Sequence, residues 1–284
     1  MKKIFSLFLL VAFIPTLLLA QSRQFDTNDD SKGIVYNKEF TIDTRIHTYG
    51  FAIGANFTNI RSYHKSTYFQ FELGELKHPK EFRQNSDNQI LNRESPQSFI
   101  LGKQNNLYVL RGGYGVKKYL SEKAKKKGVA IGLNYEAGVT LGLLKPYYLD
   151  IKQTDPNRPD IIPTEPERFN AENPCNFLDP VGRVYGASGF FRGLNEISVL
   201  PGVHAKAGVH FDWGAFDEFV KALEVGVAVD VFYKRAPILI HIDEDIAQRM
   251  DSSCPHLAPT QVEANPNRPF FINLYVTLHL GKRW

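Results

Sequence analysis

Little in this chain of 284 residues announces a chemistry. Cysteine occurs only twice, which limits the protein to a single disulfide. A helical membrane protein needs apolar runs of about 20 residues, and the only such run is Ile4 to Ala20. No basic stripe interleaved with aromatics is present, so nucleic acid has no support as a partner. The formal charge of +4 includes Lys2 and Lys3, and without that start the chain is closer to neutral. Neither Gly-x-Ser-x-Gly nor a His-x-Ser pairing occurs. Gly186-Ala187-Ser188-Gly189 offers a serine with no evident base, and Gly112-Gly113-Tyr114-Gly115 lies in a strand pattern rather than before a helix. These absences predict a protein that is not an enzyme and carries no cofactor.

What is present begins with an address. Lys2 and Lys3, the apolar run and Ala20-Gln21 describe a secretory signal peptide over residues 1–20. A flexible segment is expected over 21–32 and one domain over 33–284. For an exported chain, Cys175 and Cys254 predict one disulfide, the alternative being two unpaired thiols.

Period-two alternation dominates the rest. Odd positions from Val129 to Leu143 are all apolar, while the even ones are Ala130, Gly132, Asn134, Glu136, Gly138, Thr140 and Gly142. The pattern recurs in Val203–Trp213, Leu223–Tyr233, Tyr49–Phe57, Thr67–Leu73 and Phe270–Leu280. It is less clean over 105–119, where Leu107 and Val109 break it. Connections at 59–65, 121–127 and 214–220 are short. Those at 74–104, 145–196 and 235–267 are long and polar, and 145–196 is expected to be irregular, with room for a short hairpin.

Alternating short and long connections fit a barrel of even strand number. An eighth strand is therefore expected at Ile34–Ile42, ahead of one at 46–58. The expected fold class is all-β, an antiparallel up-and-down transmembrane barrel of eight strands with long outer loops. A soluble sandwich is the competing fold. Against it, Gly112, Gly132, Gly138, Gly142, Gly202, Gly208 and Gly226 share the non-apolar faces with charges, as a narrow lumen requires. Aromatics also gather at strand ends: Trp213, Phe216, Phe219 and Trp284, and Tyr147 and Tyr148 at an outer rim.

The tail sharpens the reading. Phe270, Ile272, Leu274, Val276, Leu278 and Leu280 alternate toward a terminal aromatic, Trp284. This resembles the recognition signal of bacterial outer-membrane proteins, whose final strand is read by the assembly machinery. Residues 33–284 as a whole resemble outer-membrane β-barrel proteins of the kind common in Bacteroidota. The resemblance implies the cell outer membrane as location, with its lipid and its assembly machinery as partners. It implies no activity.

Parity sends Arg111, Lys117, Glu136, His204, Lys206, His210, Asp212, Glu224, Asp230 and His279 into the lumen. Enclosed charges must pair, so a salt-bridge plug is expected, with Arg111 the first candidate partner for Glu136. His204 and His210, six apart on one strand, stand about 20 Å apart and cannot share a metal; no metal site is expected. Acids at 241–245 and at Asp155, Asp160, Glu165, Glu167, Glu172 and Asp179 supply hard oxygen ligands in outer loops. Their spacing matches no twelve-residue calcium loop, so solvated acidic loops are expected. Lys123, Lys125, Lys126 and Lys127 are read as a solubilising turn. Function is then expected in the loops, as binding of a partner protein, a glycan or a subunit of an envelope complex. A small pore for ions or hydrophobic solutes is the alternative, and a lipid-modifying barrel enzyme the third.

Overall fold

A computed structural model describes residues 36–62, 64–84, 97–120, 129–153, 163–172, 174–178, 184–213, 217–254 and 265–284. The expected signal peptide, the segment expected to be flexible over 21–32, the lysines at 123–127, Asp155, Asp160, Asp179 and Phe216 lie outside them. Residues Val35–Trp284 form one compact unit.

Eight antiparallel strands close into a barrel: β1 (Lys38–His47), β2 (Gly50–Ser62), β3 (Lys65–Leu76), β6 (Asn105–Tyr119), β7 (Ala130–Pro146), β11 (Ser198–Asp212), β12 (Phe219–Phe232) and β13 (Phe270–Arg283). Each pairs with its neighbour in sequence around the ring, and β1 pairs with β13 to close it. The backbone of Trp284 completes the seam, donating to Lys38 O and accepting from Lys38 N, both at 3.0 Å. Closure leaves no strand edge unpaired.

Alternation decides which face looks inward. On β7 the outward side chains include Val139, 62% exposed, while Asn134, Glu136 and Thr140 are buried. β13 repeats this, with Leu274 66% exposed and Asn273, Tyr275, Thr277 and His279 buried. The apolar face is thus the outside of the barrel and the polar face its interior. Gly112 is a correction: it shares parity with Leu110 and Tyr114 and lies outside, against the Phe71 ring. Its neighbour Gly113 is the lumen glycine, leaving space for Glu136 and His204.

The first strands are displaced from expectation. β1 runs Lys38–His47 rather than 34–42, because its alternation continues through Ile46 with Glu39, Thr41, Asp43, Arg45 and His47 buried. β2 shifts with it to 50–62. The connection expected at 59–65 is largely strand, since Ile60 pairs with Ser66 and Ser62 with Lys65.

Long connections gather at one end and are not wholly irregular. Strands β4 (Arg83–Gln84) and β5 (Phe99–Ile100) pair in the first. The second holds β8 (Tyr148–Lys152), β9 (Thr164–Arg168) and β10 (Val184–Ala187) in a three-stranded sheet, with α1 (Pro174–Leu178) between. The third holds α2 (Glu244–Ser253), where the sequence reading expected a long, solvated acidic loop. Asp243 caps α2, its Oδ1 accepting from Ile246 N at 2.9 Å, and Glu244 and Asp245 occupy the first turn. The acids at 243–245 therefore serve a helix terminus, where negative charge meets unpaired amides.

Candidate functional site

The interior is a stack of three layers. At the short-turn end Arg283 reaches Glu39 and Asp212, each at 2.7 Å, and Lys117 stands 3.4 Å from Glu39. Tyr119 donates to Asp212 at 3.3 Å.

In the middle, Glu136 lies 2.8 Å from Lys206 and 3.0 Å from His204 Nε2. The Tyr68 hydroxyl is 2.9 Å from both Glu136 and Asn134. Glu224 accepts from Tyr275 OH and Asn134, both at 2.7 Å. Large rings fit here because glycines sit beneath them. A Cβ on Gly115 would collide with the Tyr68 ring, and one on Gly208 or Gly226 would come within 2.8 Å of the Tyr275 hydroxyl.

Above these, Glu72 bridges Arg45 and Arg111 at 2.5 Å each. Arg111 also forks onto Asp230, with Nε to Oδ1 and Nη2 to Oδ2 both at 2.8 Å. Two parallel charge-assisted bonds fix its plane. The expected Arg111–Glu136 pairing is absent. Cross-strand register sets Arg111 opposite Thr140 and Gly115 opposite Glu136, while Glu136 lies directly opposite Lys206. All ten charged or histidine residues assigned to the lumen are buried, at 4% exposure or less.

His204 and His210 do not meet, but His210 does meet Glu224 and His279, whose donor atoms fall within 4.8 Å of one another. A comparison confined to one strand missed this set. It also missed Glu39, Asp43, Arg45, Glu72 and Arg283. Glu39 and Glu72 lay on the non-apolar faces of strands already expected over 34–42 and 67–73, whereas Asp43, Arg45 and Arg283 needed β1 and β13 at their full lengths.

The lumen is sealed toward the long loops by an apolar layer of Leu76, Leu107, Val109, Leu144, Leu200, Phe232, Ala236, Ile238 and Phe271. Leu107 and Val109, which broke the alternation, point inward to build it. Over this lies a cap with its own core, Phe99, Leu149, Ile151, Phe177, Val184 and Ile240. Tyr147 belongs to this cap rather than to an outer rim, its hydroxyl accepting from Ile100 N at 3.1 Å. Cys175 and Cys254 are joined across 79 residues, bracing α1 against α2 beside Ile246 and Met250. His78 ties the first loop to the third, with Nε2 3.0 Å from Pro266 O and Nδ1 accepting from Lys80 N at 3.2 Å. Burial lowers the His78 pKa and raises that of Tyr147.

Where cap meets barrel, a cleft of about 620 Å³ opens between Gln104, Tyr148, Glu167, Arg168, Asn170 and Phe177. Glu165 and Glu172 are exposed and, among the described residues, join no cation-binding cluster. Ser188 gives its amide to Tyr148 O in the turn after β10. Gly112 to Gly115 lie within β6, as a strand setting requires.

These features define a closed eight-stranded barrel with a charge-packed interior and a disulfide-braced cap. Compared with family models, curated proteins and solved structures, the chain matches none of them.

Proposed function

We propose that this chain is an outer-membrane β-barrel whose capped loops bind a partner outside the cell. The observation that carries the reading is the apolar outer surface. Ile42, Ile46, Phe57, Phe69, Phe71, Val139, Val203, Val227 and Leu274 all stand more than a third exposed around the ring. Water does not tolerate a continuous apolar belt of this extent, and lipid does. Along β13 the run from Phe270 to Leu280 covers ten steps. At about 3.4 Å each and a tilt of about 40° they span about 26 Å, close to the apolar height of a membrane barrel.

Exposed aromatics flank this belt, with Trp213, Phe219 and Trp284 at one end and Phe190, Phe191 and Tyr233 at the other. Rings of this kind favour the headgroup level.

A packed interior under an apolar layer supports binding over conduction. The cap supports it further, because ordered loops with their own core present a fixed surface at low entropic cost. Its cleft mixes Arg168, Glu167 and Asn170 with Tyr148 and Phe177, a composition suited to a peptide or a glycan rather than to a lipid chain. No catalytic role enters the reading.

Fractionation should place the protein with outer membranes. Affinity purification from mild detergent should recover a companion that is lost on Arg168→Glu. Steady channel openings in planar bilayers that vanish on Glu136→Ala would replace this reading with the pore. Recovery in the soluble periplasm would refute the membrane assignment.

A further inference from the structure

His210, Glu224 and His279 carry an inference independent of where the barrel resides. His210 on β11 and Glu224 on β12 are direct cross-strand partners. Since Glu224 pairs with Thr277 and Ala222 with His279, His279 lies one diagonal step away on β13. His210 Nδ1 and His279 Nε2 each stand 3.4 Å from Glu224 Oε2. All three residues are essentially sealed from solvent, at 2% exposure or less.

Neither of those ring nitrogens makes a well-formed hydrogen bond, and each forms an ion pair with Glu224 only as a protonated imidazole. A buried nitrogen left unpaired is costly and calls for an explanation. A separation of 3.4 Å is long for an N–H···O bond. The two separations from Glu224 match edges, about 3.3–3.4 Å, of a tetrahedron whose centre lies about 2.0–2.1 Å from nitrogen and oxygen ligands, and the two imidazole nitrogens lie within 4.8 Å of each other.

Supporting bonds orient the set. His279 Nδ1–H donates to Asp43 at 2.6 Å, which aims Nε2 at Glu224. Asp43 is itself held by Asn56 at 2.5 Å and Thr41 at 3.0 Å. Tyr275 and Asn134 fix the Glu224 carboxylate. A carboxylate behind a histidine, with hydrogen bonds behind the carboxylate, is how metal ligands are aimed.

Charge points the same way. Among the described residues, the buried lumen face carries the carboxylates Glu39, Asp43, Glu72, Glu136, Asp212, Glu224 and Asp230. Against them stand Arg45, Arg111, Lys117, Lys206 and Arg283. With the lumen histidines neutral, as metal ligation requires of His210 and His279, the excess of two negative charges equals the charge of one divalent ion.

We infer that His210, Glu224 and His279 bind a divalent transition-metal ion, with Zn²⁺ the best fit to two imidazoles and a carboxylate. The ion staples β11, β12 and β13 together, and through Asp43 it reaches across the seam to β1. Because the site is enclosed, the ion enters as the barrel closes.

The test refolds the full chain in detergent micelles with Zn²⁺, with Co²⁺ or with EDTA. Excess metal is removed by gel filtration, and folding is scored by mobility on unheated SDS gels. The folded wild type should retain one zinc per chain, and cobalt should give the intense visible bands of a tetrahedral site. His210→Gln and His279→Gln should lower retention at least tenfold, while His204→Gln should leave it unchanged. Folded wild type that retains less than a tenth of a zinc per chain overturns the inference. So does equal retention by a folded His210→Gln/His279→Gln double variant. Should those variants not fold, the wild-type cobalt spectrum decides, and absence of tetrahedral bands refutes the site.

Discussion

Replacing Glu72 by glutamine removes one negative charge from between two guanidinium groups. Arg111 keeps its fork onto Asp230 at 2.8 Å. Arg45 keeps Thr277 Oγ1, at 2.8 Å from its Nε, and the Tyr275 ring 4.5 Å beneath it, and loses its carboxylate ion pair. Both Arg45 and Glu72 are buried, at 3% and 2% side-chain exposure, so the lost attraction is barely screened. Breaking a buried pair by deleting one partner costs about 3–5 kcal/mol, while replacing both partners with apolar groups is often neutral. Glu72→Gln should therefore lower the folding equilibrium constant by about two to three and a half orders of magnitude. Glu72→Leu/Arg45→Met should recover most of that loss. Equilibrium urea unfolding in micelles, followed by tryptophan emission, measures both, with exposed Glu165→Gln as a control expected to stay within about 0.5 kcal/mol. A loss below about 1 kcal/mol for Glu72→Gln, or a double variant no more stable than the single, would refute the packed-lumen energetics.

Three further outcomes follow from the cap and the belt. Cys175→Ser/Cys254→Ser should expose segments 163–178 and 242–254 to protease while the barrel stays SDS-resistant. Chain entropy of a 79-residue closure sets about 4–5 kcal/mol as the upper bound on the loss, and unchanged proteolysis would exclude a bracing role. His78 has a folded pKa below its unfolded value near 6.5, so the unfolded state binds more protons below that pH. Its contribution is whole above pH 6.5 and falls as the pH drops toward and through the folded value. Amide protection factors at Lys80 and Glu81, taken relative to the intrinsic exchange rate at each pH, should fall on acidification, and His78→Gln should flatten that response. Phe191→Trp should report the headgroup level through quenching by brominated phospholipid, and emission typical of free water would remove Phe191 from the belt.

The outer surface was legible because period two survives errors in strand length: Ile131, Tyr135, Val139 and Leu141 face outward wherever the strand ends. Partnerships inside the lumen were not legible. Parity placed Arg111 and Glu136 indoors, but the stagger between β6 and β7 set them four residues apart, and a sequence does not state its stagger. The same gap hid Glu224 between His210 and His279. The cap hid for another reason. Its helix α2 carried readable signals, an Asp243 cap followed by Ile246 and Met250 one turn apart, but the prolines and acids around it read as a long, solvated loop.

One seam joins the first strand to the last, and the lumen contacts Glu39–Arg283, Asp43–His279 and Arg45–Thr277 all cross it. A sheet that has not yet closed holds those carboxylates and guanidinium groups apart. Ring closure and charge neutralisation are therefore a single event. A misregistered seam would leave Glu39, Asp43 and Arg45 without these partners, so the interior charges and the seam register specify each other.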